Sequence, residues 1–98
     1  MEARVITVQV DVYRMDKAIK IYEESVAPAV KLREGGIGAL LLVDRKSGKA
    51  LSITMWENEE RLKESQESGF MKEQIAKFES MLIATPDIDA FEVIVKDL

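Results

Sequence analysis

The sequence predicts a single α+β domain in which two helices cover one face of a four-stranded antiparallel sheet. Its 98 residues match the usual size of one domain. Along the chain, the apolar residues change between a period of two and a helical period, giving the order β-α-β-β-α-β. Right-handed crossovers arrange that order as one sheet with both helices on one side. We therefore expect a ferredoxin-like βαββαβ sandwich in which residues 1–98 form one domain.

The first strand is predicted over residues 4–12, where apolar and polar side chains alternate. Alternate side chains point to opposite faces of a strand, so each set marks one face. The apolar set is expected to face the helices, and the polar set to face away from them. The apolar set is Ile6, Val8, Val10 and Val12, and the polar set is Thr7, Gln9 and Asp11.

The first helix is predicted over residues 16–33. Asp16 offers an N-cap, and Gly35-Gly36 offers a left-handed C-cap. Pro28 lies inside this helix and has no N–H, so it removes one helical hydrogen bond. We expect a kink or a short break near Ala27.

A hairpin follows, with strands predicted at 37–44 and 49–56 on either side of the turn 45–48. Gly48 suits the left-handed position of a short hairpin loop, so the two strands should be antiparallel neighbours. The strand 37–44 is apolar on both faces, which predicts that both of its faces are covered.

The second helical region begins at Asn58, which is predicted to cap it. Ser68-Gly69 should break or bend this region, and helical spacing continues over residues 70–82. The stretch Thr85–Asp87 ends the helical region, and residues 90–96 are predicted to form the last strand.

Composition restricts the chemistry more than it restricts the fold. The chain has 18 acidic and 14 basic residues, a net charge of −4, which argues against nucleic acid or an anionic membrane as a partner. It contains no Cys, which is compatible with a cytoplasmic location and excludes thiolate chemistry. It also contains no His, the commonest general base and metal ligand at neutral pH. No carboxylate spacing predicts a metal site.

One layer of helices cannot cover both faces of the sheet. If the apolar set of the first strand packs on the helices, the uncovered face carries polar residues together with aliphatic ones. A large exposed apolar patch is unusual on a monomer, so we expect a homodimer formed by packing of the two sheets. The expected uncovered face consists of Thr7, Gln9, Ser52, Thr54 and parts of 39–43 and 90–96.

The segment GGIGALLLVDRKSGKALSITMWENEERLKES resembles the middle of the antibiotic biosynthesis monooxygenase-like family, which belongs to the dimeric α/β-barrel superfamily. The matching features are Gly35-Gly36, the strand 37–44, the Gly48 hairpin and the strand end that leads into Trp56-Glu57. By element order, the resemblance covers most of the chain.

The resemblance implies a homodimer in which each subunit has a pocket between its sheet and its helices. It also implies a cofactor-independent oxygenase that acts on an aromatic or quinone-like molecule, with Trp56 lining the pocket. Haem-degrading relatives bind iron through a His on the last helix and carry an Asn on the first strand. This chain has no His and carries Val8 or Gln9 at the latter position, so we expect no haem and no other cofactor.

Four residues are candidates for the substrate pocket: Trp56, Tyr22, Asn58 and Met55. Trp56 has two interpretations, a ring that stacks on the substrate and a ring that fills the end of a strand. We predict that Leu51, Ile53 and Met55 face the helices, which places Trp56 on the other side unless a bulge shifts it.

For the other three candidates the structural alternatives are simpler. Tyr22 lies on the apolar stripe of the first helix and needs a partner for its hydroxyl group. Asn58 is first of all a helix cap, and Met55 is equally suited to an ordinary core. Two functions remain open from the sequence: a cofactor-independent monooxygenase-like enzyme, and a non-catalytic ligand-binding or structural dimer of the same fold.

Overall fold

The computed structural model describes all 98 residues and contains four strands and four α-helices. A π-helical turn joins α1 to α2, and two 3-10 turns, Val12–Arg14 and Glu79–Met81, precede α1 and follow α4. No helix is both long enough and apolar enough to span a bilayer. The strands are β1 (Glu2–Gln9), β2 (Gly36–Val43), β3 (Lys49–Trp56) and β4 (Asp87–Glu92), and the helices are α1 (Met15–Ile21), α2 (Ala27–Leu32), α3 (Glu59–Glu67) and α4 (Phe70–Ala76).

The four strands form one antiparallel sheet in the order β2-β3-β1-β4. β1 lies between β3 and β4, and β2 pairs with β3 through the hairpin. The helices pack against one side of the sheet, with α2 on β2 and α3 on β1 and β3. This arrangement confirms the predicted ferredoxin-like α+β fold.

The first helical region is interrupted where Pro28 requires it. Tyr22–Val26 forms a π-helical turn, and the Ala27 N–H donates to the Tyr22 carbonyl, five residues earlier. The predicted break near Ala27 is confirmed, and its form is a π-helical turn placed immediately before the proline. π-Helical turns of this kind are frequent at functional sites. Here the turn begins at Tyr22, which is buried.

The predicted N-cap of the first helix is wrong. Arg14 occupies the cap position without a side-chain cap bond, and α1 already begins at Met15. Asp16 lies in the first turn instead, and its carboxylate pairs with Arg45 at 2.7 Å. A carboxylate in the first turn still interacts favourably with the positive end of the helix dipole.

The second helical region follows the sequence prediction more closely. Asn58 caps α3, and its side-chain oxygen accepts a hydrogen bond from the Arg61 N–H at 2.9 Å. Gly69 adopts a left-handed conformation with φ 87°, which separates α3 from α4. The cap and the break are both confirmed.

The predicted bounds of the first strand, 4–12, and of the last strand, 90–96, are both wrong. β1 ends at Gln9, because the Asp11 side chain accepts from the Tyr13 N–H and starts a 3-10 turn. Val12 therefore lies in that turn, and its predicted place on the helix-facing side of a strand is wrong.

β4 covers Asp87–Glu92 instead of 90–96. It is antiparallel to β1, and Glu92 pairs with Glu2 at the start of that strand. Beyond Glu92, the Val93 N–H donates to the Met1 carbonyl. The predicted bounds of the last strand are therefore wrong.

The assignment of the two faces of β3 is wrong. Ala50, Thr54 and Trp56 are buried beneath the helices, so the predicted helix-facing set of Leu51, Ile53 and Met55 lies on the opposite side. A bulge is present, but it lies in β2 between Gly36 and Gly38 and does not change the alternation of β3.

The side of the sheet away from the helices is consequently more apolar than predicted. We call it the outer face. Ser52 and Thr54, expected there, lie on the helix-facing side instead. Leu42 and Phe91 remain 50% and 56% exposed, and no element of the chain covers them. By strand alternation, the outer face carries the apolar residues Ala3, Val5, Leu40, Leu42, Leu51, Ile53, Met55 and Phe91 and, toward one end, the polar or charged residues Thr7, Gln9, Lys49, Asp87 and Asp89.

Candidate functional site

A cavity lies between the helix-facing side of β1–β3 and the helices. Its volume is about 60 Å³, and 13 of its 15 lining residues are hydrophobic. Its lining includes Ile6, Val10, Met15, Ala18, Tyr22 and Phe78. We call this space the apolar cavity.

A hydroxyl pair forms the polar edge of the apolar cavity. The Tyr22 Oη lies 2.9 Å from the Ser52 Oγ and 3.1 Å from the Leu40 carbonyl oxygen. Burial raises the pKa of the Tyr22 hydroxyl, although the hydrogen bond to Ser52 acts in the opposite direction. Tyr22 is therefore a hydrogen-bond donor at neutral pH and not a base.

A second, smaller cavity of about 30 Å³ lies beside the first one, at the Trp56 end of β3. Ile6, Val26, Ser52 and Gln74 line both spaces, so the two cavities adjoin. We call the second space the Trp56 cavity. Its lining is more polar, because Arg4, Thr54 and Ser65 contribute to it.

Trp56 is fixed at this position by two interactions. Its indole Nε1–H donates to the Thr54 Oγ1 at 3.0 Å, and its ring meets the Phe70 ring edge to face, with centroids 6.1 Å apart. The ring is 2% exposed and belongs to a small core cluster with Val30 and Leu62. Trp56 thus fills the end of the strand and also lines a cavity, which combines both sequence interpretations.

Arg4 is the residue of this site that the sequence analysis missed. It is 5% exposed, and its Nη2 donates to the Gln66 Oε1 at 3.3 Å and to the Leu62 carbonyl at 3.5 Å. Its Nε has no hydrogen-bond partner. Burial lowers the pKa of this guanidinium below its ordinary value. The sequence does contain a signal for this position. Arg4 lies two residues before Ile6, and alternate residues of a strand share one face, so Arg4 is on the helix-facing side of β1.

The apolar cavity adjoins the protein surface beside α4. An open groove outside the apolar cavity is lined by Lys72, Glu79 and Pro86, among others, and shares Ile75 and Leu82 with the cavity. These two side chains therefore border both the cavity and the groove. An apolar cavity of about 150 Å³ holds one benzene ring, so an aromatic ligand requires lining side chains to move.

The chain is similar in sequence to proteins of Mycobacterium tuberculosis. No family model matches the chain. Uncharacterized protein Rv2557 of Mycobacterium tuberculosis is 32% identical over 92 residues, which cover 93% of this chain. The chain spans about 40% of the length of that relative.

Solved structures show the fold. A protein from Deinococcus radiodurans, provisionally assigned as an antibiotic biosynthesis monooxygenase, superposes on this chain with a TM-score of 0.77 at 15% identity. The superposition covers 100% of this chain and 97% of the Deinococcus chain. The ActVA-Orf6 monooxygenase of Streptomyces coelicolor, in complex with Nanaomycin D, gives 0.76 at 15% identity, with 99% and 90% covered. The chain has the antibiotic biosynthesis monooxygenase fold. The fold that the resemblance around Trp56 implied is confirmed.

The antibiotic biosynthesis monooxygenase fold also occurs in proteins of different chemistry. The haem degrader MhuD of Mycobacterium tuberculosis, with two haems bound, superposes with a TM-score of 0.71 at 17% identity and covers 99% of both chains. The fold alone therefore does not select the reaction, and the residues of the cavities must.

Within this fold the structure brings together two of the four predicted site residues. Tyr22 lines the apolar cavity and Trp56 lines the Trp56 cavity. Asn58 lies outside both and caps α3. Met55 lies on the outer face, where its methyl group is near Gly38, so the structure does not bring it to the cavities. No group of three or more His, Cys, Asp or Glu side chains lies close enough to share a metal ion.

Proposed function

We propose that the protein is a homodimer that binds an aromatic or quinone-like small molecule between its sheet and its helices and oxygenates it without a cofactor. The observation that carries the proposal is the pair of adjoining cavities, one almost wholly apolar and the other edged by polar groups. Ligand sites typically combine an apolar lining with a few placed polar groups that fix orientation. A cytoplasmic location stays a prediction.

The lining supports a ligand with a flat apolar body. The layer between sheet and helices offers dispersion contacts from Ile6, Val10 and Phe78 on both sides of a planar molecule. Trp56, Thr54 and Tyr22 then supply polar atoms at the edge. That the ActVA-Orf6 monooxygenase has this fold and binds Nanaomycin D supports a small organic ligand.

Oxygenation without a cofactor requires the substrate to supply all the electrons that reduce O₂. In such a reaction a ring-activated CH₂ group becomes C=O. One oxygen atom stays on the carbon, and the other leaves with both hydrogens as water. The substrate must first lose a proton, because its anion is the electron donor. Neither cavity is lined by a carboxylate, a His or a Lys that could accept this proton. The substrate must therefore be acidic enough to ionise in solvent.

The outer face supports the homodimer. Leu40, Leu42 and Phe91 are each about half exposed, and they lie on one continuous side of the sheet. β4 is exposed along its whole length although it pairs with β1. Contiguous apolar surface of this kind marks an interface. A second copy of the chain presents the same self-complementary surface through a twofold axis.

A second candidate function is a dimer that binds the same ligand without converting it. The observation that favours it is the absence of a side chain able to act as a general base along either cavity. An enzyme with this lining depends wholly on the acidity of its substrate, whereas a binding protein does not.

Oxygen uptake with a panel of hydroxylated aromatics separates the two functions. We expect at least one compound to be oxidised, and we expect Trp56→Phe to lower kcat/KM for it. Part of the ring surface that lines the Trp56 cavity is lost, and the Thr54 hydroxyl loses the indole N–H that donates to it. Leu32→Ala, at an exposed position on α2, is the matched control and should leave the rate unchanged. If compounds bind but none is oxidised by the wild-type protein, the binding function replaces the enzymatic one. If none binds, both are wrong.

A further inference from the structure

The structure contains a buried cation without a counter-ion. Arg4 is 95% removed from solvent, yet none of the four ion pairs of the chain involves it. Its two hydrogen bonds, at 3.3 and 3.5 Å, are longer than typical charge-assisted bonds of about 2.7–2.9 Å. Burying a charge that is not fully paired is costly, so a residue that is only structural would be expected to have better partners.

The nearby carboxylates do not fill this role. Glu2 and Glu92 share the helix-facing side of the sheet with Arg4 and pair with each other across β1 and β4. Neither carboxylate lies within ion-pair distance of the Arg4 guanidinium. The Nε–H of Arg4 also has no partner at all. A donor of this kind is available to an acceptor that comes from outside the chain.

The position of Arg4 connects this donor to the proposed ligand site. Arg4 pairs with Thr54 across β1 and β3, and both line the Trp56 cavity. The next inward residue pair along the same strands is Ile6 with Ser52, which lines both cavities. A ligand whose body lies in the apolar cavity would therefore extend one end past Ser52 toward Arg4.

We propose that Arg4 binds an anionic oxygen of the ligand, so that the ligand is an organic anion with an apolar aromatic body. This inference rests on the proposed function, which places the aromatic body of the ligand in the apolar cavity. The anionic oxygen belongs to a carboxylate or a phenolate, and either group accepts hydrogen bonds from a guanidinium. A phenolate at this point is also the ionised form that cofactor-free oxygenation requires.

Fluorine NMR titration with matched probe pairs tests the proposal. The carboxylate arm compares para-fluorobenzoate with para-fluorobenzamide, and the phenolate arm compares pentafluorophenol, ionised at neutral pH, with pentafluoroanisole. In each pair the ring is the same and only one member carries the negative charge. We expect the wild-type protein to bind at least one anion about tenfold or more tightly than its neutral partner.

Substitutions of Arg4 show whether this residue causes the preference for the anionic probe. Arg4→Gln should remove the preference for the anion and leave the affinity of the neutral partner unchanged. Arg4→Lys should retain part of the preference, because it keeps the charge and loses the planar donor set. Arg45→Gln removes an equal charge from the exposed hairpin and should change neither affinity.

Each outcome decides the matter. Equal affinity for both members of each pair in the wild-type protein overturns the anion site and leaves aromatic binding intact. A preference that survives in Arg4→Gln overturns it as well. If no probe of either pair binds, the proposed function fails together with the anion site. If Arg4→Gln does not fold by circular dichroism, the wild-type comparison and Arg4→Lys still decide.

Discussion

Leu42→Lys tests the proposed dimer on the outer face. Leu42 is 50% exposed in the isolated chain. Complete burial of a leucine side chain contributes about 1.5–3 kcal/mol, so covering the remaining half contributes about 0.75–1.5 kcal/mol. A twofold interface contains the residue twice, and the substitution therefore removes about 1.5–3 kcal/mol from association. The dissociation constant should rise roughly ten- to hundredfold, and more if the two lysine charges come close together.

The assay is sedimentation velocity over a concentration series that brackets the wild-type dissociation constant. Leu32→Lys is the matched control, because Leu32 is 88% exposed but lies at the end of α2, on the side of the sheet opposite the outer face. It should leave the association unchanged. A wild-type particle of 11.1 kDa at every concentration, or equal weakening by both variants, would refute the assignment of the interface to the outer face.

Three further predictions concern stability. Arg4→Met should raise the free energy of unfolding by about 1–3 kcal/mol, since it removes an incompletely paired buried charge, and a loss of that size in urea denaturation would contradict this. Tyr22→Phe should lower stability by about 1 kcal/mol through loss of the hydrogen bonds to Ser52 and Leu40. Because the folded pKa of Tyr22 is raised above 10.0, its contribution is fully present below pH 10.0 and is lost as the pH rises through the folded value. As the pH rises above 10.0, the Tyr22→Phe variant should therefore lose less stability than the wild-type protein does in alkaline denaturation. Asn58→Ala should cost about 1 kcal/mol by removing the cap of α3, and thermal unfolding that matches wild type would show that the cap contributes nothing.

Local signals in the sequence were sufficient for the element order and most boundaries. The break before Pro28 and the cap at Asn58 follow from backbone chemistry that depends only on neighbouring residues. The ends of β1 and β4 did not follow from such signals. They depend on the pairing of β4 with β1, and on the turn that starts at Asp11.

The faces of β3 were predicted wrongly for a more general reason. Alternation separates Leu51 and Ile53 from Ser52 and Thr54, but it does not say which set the helices cover. The more apolar set, Leu51 and Ile53, is expected beneath the helices, although a second subunit can also cover apolar residues on the other face. The structure places the smaller and more polar set beneath the helices, where it borders the cavities.

Arg4 was missed for a different reason, because the faces of β1 were predicted correctly. A charged residue near the start of a strand is ordinarily solvent-exposed, so it was given no role. Its burial depends on α3, whose Leu62 and Gln66 lie above it but are 58 and 62 residues away in sequence. Trp56 follows from the family resemblance of its strand end, and Tyr22 follows from its place on the apolar stripe of the first helix.

Methyl NMR of methionine-labelled protein tests the central claim, that the ligand binds between the sheet and the helices. Met15 lines the apolar cavity and Met71 lines the Trp56 cavity, whereas Met55 lies on the outer face. On addition of para-fluorobenzoate or pentafluorophenol, ring currents should shift the Met15 and Met71 methyl signals and leave that of Met55 in place. A shift confined to Met55, or no shift in any of the three at saturating probe, would contradict the account.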